Sequence, residues 1–190
     1  MKKGGTGGAN TTTGLKFEFR TDLAEFLSQK PGYRIEKSDK DTKTGKLRSK
    51  AFRWTVYYEN HPIAEIFQKD GLYRYFDGIN YDYRKVLSKK LLPDDSIFIY
   101  ETNTIYIIEK KYQEVAGSVD EKPQTGPFKL KQYQRLFSPL RINVAYIYLF
   151  NSDWWGKAEY KDMLDYIRDV GCNYYFDSIP LEDLGLPEPC

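Results

Sequence analysis

The chain of 190 residues has a single histidine, His61, and only two cysteines, Cys172 and Cys190. His61 stands directly before Pro62 in what reads as a loop, and one imidazole cannot furnish a histidine zinc triad. The same shortage excludes Ser-His and Cys-His nucleophilic catalysis of the usual kind. Two cysteines, one of them the last residue, are too few for a disulfide framework or a thiolate zinc site, and they fit a reducing compartment. Long hydrophobic runs are missing too. No stretch approaches the roughly 18 apolar residues of a membrane span, and the N-terminus lacks the apolar core of a signal peptide. The expectation is a soluble, cytoplasmic protein whose chemistry runs on carboxylates and lysine.

What is present suits one folded domain spanning residues 1–190. Hydrophobic residues make up 41% and aromatic residues 16%, enough for a sizeable core. Residues 1–13 are rich in glycine and threonine without apolar periodicity, so they read as a flexible start. They do not form a P-loop, because the GxxxxGK[ST] spacing is absent. The net charge is only +2, but it is unevenly spread. Residues 152–190 carry three Lys or Arg against nine Asp or Glu, which leaves +8 on residues 1–151. That asymmetry fits a chain presenting one face to a polyanion.

Periodicity places the elements. Leu15, Phe19, Leu23, Phe26 and Leu27 recur at helical spacing and predict a helix over Gly14–Gln29. Strands follow at 33–36 and 51–58, separated by a polar loop, and residues 30–53 hold nine Lys or Arg against three Asp or Glu. Lys43, Lys46, Arg48 and Lys50 of that loop are candidate contacts to a nucleic-acid backbone. Residues 63–67 and 72–76 read as two strands of a hairpin turning on Gln68-Lys69-Asp70-Gly71, with Lys69 and Arg74 as further candidate DNA contacts. Beyond a short helix or basic linker at 82–90 lie a helix from Phe128 that ends before Pro139, a buried strand at 141–150, a helix at 160–170 closed by Gly171, a strand at 173–176 and an acidic tail. The expected fold class is α/β, a mixed central β-sheet flanked by helices.

The chemistry concentrates between Leu91 and Gln113. Residues 96–100 and 104–113 read as a β-hairpin turning at Glu101-Thr102-Asn103. Period-two alternation puts Ile105, Ile107, Glu109, Lys111 and Gln113 on one face, and Tyr106, Ile108, Lys110 and Tyr112 on the other. A Glu and a Lys following two apolar residues on one face are costly unless they have work to do. Asp94, at the start of the partner strand, is expected opposite Glu109. Two carboxylates facing one point suit a hard divalent cation such as Mg²⁺, and a neighbouring lysine can hold or polarise water.

Pro93-Asp94, followed fifteen positions later by Glu109-Lys110-Lys111, resembles the PD…ExK signature of the PD-(D/E)XK nuclease superfamily, which includes most type II restriction endonucleases. The wider run IIEKKYQ…GSVDEK…QT…FK…QY is also similar to small nucleases of the restriction type. The resemblance implies a restriction-endonuclease-like core and Mg²⁺-dependent hydrolysis of double-stranded DNA at a short specific sequence, leaving 5′-phosphates and 3′-hydroxyls. It implies Asp94, Glu109 and the Lys110 carbonyl as metal ligands and Lys111 as the group that orients or activates water. Glu18 on the first helix, and Gln132 and Tyr133 on the helix after the ExK strand, are implied as site-facing. Gln113 joins them with no assigned role. Lys122, Lys129 and Lys131 would flank the cleaved strand. Cutting both strands needs two sites, so a homodimer is expected, with a cognate DNA methyltransferase as functional partner. Two alternatives stand beside this reading: a structure-specific or repair nuclease of the same fold, and a non-catalytic nucleic-acid-binding module.

Overall fold

The computed structural model describes residues 17, 21–41, 44–48, 52–115 and 121–189. Seven strands form one mixed sheet in the order in which the chain makes them: β1 Tyr33–Lys37, β2 Arg53–Tyr58, β3 His61–Phe67, β4 Asp95–Ile99, β5 Thr104–Lys111, β6 Asn143–Phe150 and β7 Asn173–Phe176. The first five pair antiparallel, and β5, β6 and β7 run parallel. Five α-helices whose bounds lie within the described residues accompany them: α1 Leu23–Ser28, α2 Gly71–Gly78, α3 Gly126–Phe137, α4 Ser152–Trp155 and α5 Lys161–Asp169. A parallel neighbour requires a crossover; α3 lies in the one between β5 and β6, and α5 in the one between β6 and β7. The protein is therefore α/β, as its element pattern predicts, and no helix among the described residues is long and apolar enough to cross a membrane.

Alternation along the central strands feeds two cores. Ile105, Ile107, Tyr146, Tyr148 and Phe150 face one side of the sheet, where α2, α3 and α5 cover them with Tyr73, Phe76, Leu130, Tyr133, Leu164 and Ile167. Ile97, Ile99, Ile108, Ile147 and Leu149 face the other side, covered by Leu23, Ala24 and Leu27 of α1. The chain beyond β7 completes that second cover with Ile179, Leu181, Leu184 and Leu186. The acidic tail of the sequence is thus also a hydrophobic strap.

Three expectations are corrected. The segment 72–76 is not a strand: Gly71–Gly78 is helical, and β3 pairs with β2 and β4 instead. The reason is steric as well as periodic. A Cβ on Gly71 would stand 1.9 Å from the Phe52 carbonyl oxygen, so this glycine marks a close approach of α2 to the residue before β2 rather than a hairpin turn. The hairpin turn lies one connection earlier, at Glu59 and Asn60, both at positive φ (47° and 66°), and His61 heads β3 instead of lying in a loop. The helix expected over Gly14–Gln29 does not run through Asp22, which is extended (φ −64°, ψ 116°) and caps α1 by accepting from the Glu25 N–H at 2.9 Å. The part of that expectation at residues 14–16 and 18–20, like the flexible start at 1–13, lies outside the described residues.

Candidate active site

The hairpin of β4 and β5 forms as the sequence predicts, and its register puts Asp95 opposite Ile108. Asp94, one residue outside the ladder, therefore reaches the carboxyl end of β5, where its Oδ2 accepts the Lys110 N–H at 2.9 Å. Three bonds fix the approach to it. The Tyr73 hydroxyl donates to the Leu91 carbonyl at 2.8 Å and accepts the Leu91 N–H at 2.7 Å, and the Lys69 N–H donates to the Pro93 carbonyl at 3.0 Å.

Glu109 and Lys111 share a face, as alternation requires. Lys111 Nζ donates to Glu109 Oε1 at 2.8 Å and to the Lys110 carbonyl at 3.2 Å. Lys129, on the first turns of α3, donates to the same Oε1 at 2.7 Å, and the Tyr146 hydroxyl of β6 reaches Oε2 at 3.4 Å. Side-chain exposures of 13% for Glu109, 16% for Lys111 and 28% for Lys129 place the cluster just below the surface, with the α3 lysine outermost.

The electrostatics record how closely these groups converge. Burial pushes the Asp94 carboxyl above its usual range, the Glu109 charge pushes it further, and Lys111 and Lys110 oppose the rise. Burial also pushes Glu109 upward, but Lys111 and Lys129 outweigh it and hold this carboxyl below its usual range. Tyr133, one helical turn beyond Lys129, is held well above the ordinary phenol value by burial first, then by the charges of Tyr73, Glu109 and Asp94. One carboxylate stays ionised by paired ammoniums while its neighbour is pushed toward neutrality.

Lys110 points the other way. Its Nζ lies 2.6 Å from Asp95 Oδ2, with the two side chains 7% and 1% exposed, beneath the second core. A cleft of about 90 Å³ on that side is lined by Leu23, Phe26, Asp95, Ile108, Leu149 and Ile179 among others, and its lining includes none of Asp94, Glu109 or Lys111. The Lys110 side chain thus serves the fold, while its carbonyl faces the Lys111 ammonium.

The remaining candidates divide. Gln113 is buried against the end of β6, exchanging backbone bonds with the Asn151 amide at 2.9 and 3.0 Å and turning its own amide to the Val115 carbonyl. Gln132 is half-buried on α3. Lys46, Lys69, Lys122 and Lys131 are exposed. Arg74 is engaged by Asp39 and lies 3.6 Å from Asp70, and Arg48 pairs with Asp41 at 3.1 Å and Asp39 at 3.6 Å. Both arginines neutralise an Asp39 that is only 1% exposed. Glu18, Lys43 and Lys50 lie outside the described residues. Trp154 and Trp155 of α4 are buried at the end of β6: Trp155 is fully buried, and its indole N–H donates to the Lys111 carbonyl at 3.1 Å.

Two contacts were not readable in advance. Tyr146 reaches Glu109 through the parallel register of β5 on β6, which pairs Glu109 with Tyr148 and which no local pattern encodes. Lys129 reads from sequence as a cation flanking DNA, and its bond to Glu109 depends on where α3 docks. The only available signal was the four-residue spacing that puts it on the face of buried Tyr133.

A divalent cation suits the donors present. Asp94, Glu109 and the Lys110 carbonyl are hard oxygens at one strand end. Among the described residues no group of three or more His, Cys, Asp or Glu gathers, so any such site rests on two carboxylates and a carbonyl. No family model, curated protein or solved structure matches the chain.

Proposed function

We propose that the protein is a Mg²⁺-dependent endonuclease of the PD-(D/E)XK type acting on double-stranded DNA, with a type II restriction endonuclease as the specific form. The observation that carries the reading is the meeting of Asp94, Glu109 and Lys111 at the carboxyl end of β5, where residues fifteen apart in sequence share one electrostatic environment. Asp94, Glu109 and the Lys110 carbonyl would hold Mg²⁺, which when bound supplies Lewis acidity toward a phosphodiester and its attacking water. Lys111, held between Glu109 and the Lys110 carbonyl, would orient that water. Exposed Lys46, Lys69, Lys122 and Lys131 are the cations available to DNA phosphates. A homodimer on a palindromic site, with a cognate DNA methyltransferase in the same system, belongs to this proposal.

A second reading has its own support. Both ammonium groups lie on Glu109 Oε1, an arrangement equally suited to a structural ion cluster in a non-catalytic nucleic-acid-binding module. Incubating the protein with plasmid DNA and Mg²⁺ separates the readings. Discrete fragments support the restriction enzyme, cutting confined to branched substrates supports a structure-specific nuclease, and retarded but intact DNA supports the binding module. Asp94→Ala, Glu109→Ala and Lys111→Ala should each abolish cleavage while the protein stays folded, and full activity in any one of them overturns the assignment.

A further inference from the structure

Glu109 Oε1 accepts from two ammonium groups at nearly equal distance, 2.8 Å from Lys111 and 2.7 Å from Lys129. They are not equivalent. Lys111 belongs to the strand, is 16% exposed and has a second acceptor in the Lys110 carbonyl. Lys129 comes from the other side of the site on α3, is 28% exposed, and has Glu109 as its one acceptor among the described residues. Of the two, Lys129 can leave without abandoning any other bond, and it leaves toward solvent.

Oε1 already accepts one ammonium on each of its two lone pairs, so a divalent cation that binds this oxygen displaces one of them and is repelled by the other less than by both. Removing Lys129 with nothing in its place would leave a carboxylate that is only 13% exposed with half of its ammonium pairing, so the seat is best exchanged rather than vacated. We propose that Lys129 is a placeholder for the divalent cation: its ammonium occupies the cation seat on Glu109 in the metal-free protein, yields that seat to the metal, and swings outward to the DNA phosphate. This rests on the nuclease reading and adds a regulatory step to it. The exchange costs least when a polyanion is present to receive the displaced ammonium, so metal and DNA raise each other's affinity.

The test is Mg²⁺ binding measured by isothermal titration calorimetry without DNA, on the full chain, for wild type, Lys129→Met, Lys129→Gln and the control Lys131→Met. Lys131 is exposed on the same helix and changes net charge equally. With the competitor gone, Lys129→Met and Lys129→Gln should bind Mg²⁺ about tenfold more tightly than wild type, while Lys131→Met stays near it. In cleavage assays the Lys129 variants should reach half-maximal rate at lower Mg²⁺ but with a lower maximum. The two substitutions differ in polarity, so one that folds poorly leaves the other to report. Equal affinity in wild type and both Lys129 variants overturns the placeholder role while leaving the nuclease reading intact. An equal gain in Lys131→Met overturns it as well, because bulk charge would then account for the effect. Absence of Mg²⁺ binding in all four proteins together with uncut plasmid overturns both.

Discussion

The strongest single-residue dependence lies behind the site rather than in it. Lys110 and Asp95 form an ion pair at 2.6 Å that is almost wholly buried, so removing one partner strands the other charge in the core. Asp95→Ala should therefore cost about 3–5 kcal/mol in chemical denaturation, whereas the double replacement Asp95→Leu with Lys110→Met should recover most of that loss. A single variant as stable as wild type would show that the pair carries no such debt. At this scale the sequence was informative where geometry is local. Period two alone separates Glu109 and Lys111 from Lys110, and a short hairpin brings Asp94 to them. It was silent where geometry is long-range. The bond between Arg74 and buried Asp39 joins residues 35 apart, and nothing around Arg74 distinguishes a guanidinium that neutralises a core acid from one that reads a base.

Among elements, the hairpin of β4 and β5, the strands β1, β2, β6 and β7, and the helices α3 and α5 all follow from hydrophobic spacing. The failure at α2 is instructive. Leu72-Tyr73-Arg74-Tyr75-Phe76 has strand composition, and Asp70-Gly71 is a standard hairpin signal. Tertiary packing decides otherwise, because Leu72, Tyr73 and Phe76 all enter the first core, a burial pattern that a helix satisfies and a strand does not. Gly71 is the point of contact. Its missing side chain lets α2 begin against the Phe52 carbonyl, and the obstacle is backbone that cannot rotate away. Gly71→Ala should thus destabilise by about 3 kcal/mol, the upper end for overpacking. Because Tyr73 of the same helix holds Leu91 ahead of Asp94, a displaced α2 should also lower the DNA cleavage proposed for this site. Thermal melting and the plasmid assay check the two effects, and an unperturbed Gly71→Ala variant would refute the contact.

The whole molecule depends on the segment that composition marks as merely acidic. Four apolar side chains beyond β7 (Ile179, Leu181, Leu184 and Leu186) are between 1% and 9% exposed. At about 1.5–3 kcal/mol for each buried side chain they contribute an amount comparable to the about 5–15 kcal/mol total stability of a typical domain. Truncation before Ser178 should abolish cooperative thermal unfolding, and a sharp transition in the truncated chain would contradict that. Alkaline pH should also weaken the fold as a whole. Burial pushes the Cys172 thiol up to about 11 from 9.0, and pushes the Tyr73 and Tyr175 hydroxyls up to about 12 from 10.0. The folded chain then keeps protons that the unfolded chain has released. The stability these groups contribute is complete below about pH 9 and is lost as pH rises through about 11 to 12. Unfolding midpoints measured from about pH 8 to about pH 11 should fall, and a flat profile would count against the burial of these groups. The bond from the Trp155 indole to the Lys111 carbonyl has one more outcome. With Trp54 and Trp154 replaced by Phe, the chain would carry a lone tryptophan wired to the strand that bears Glu109, and its emission, excited selectively at the red edge of the indole band, would follow occupancy at that strand's end in real time without any added dye.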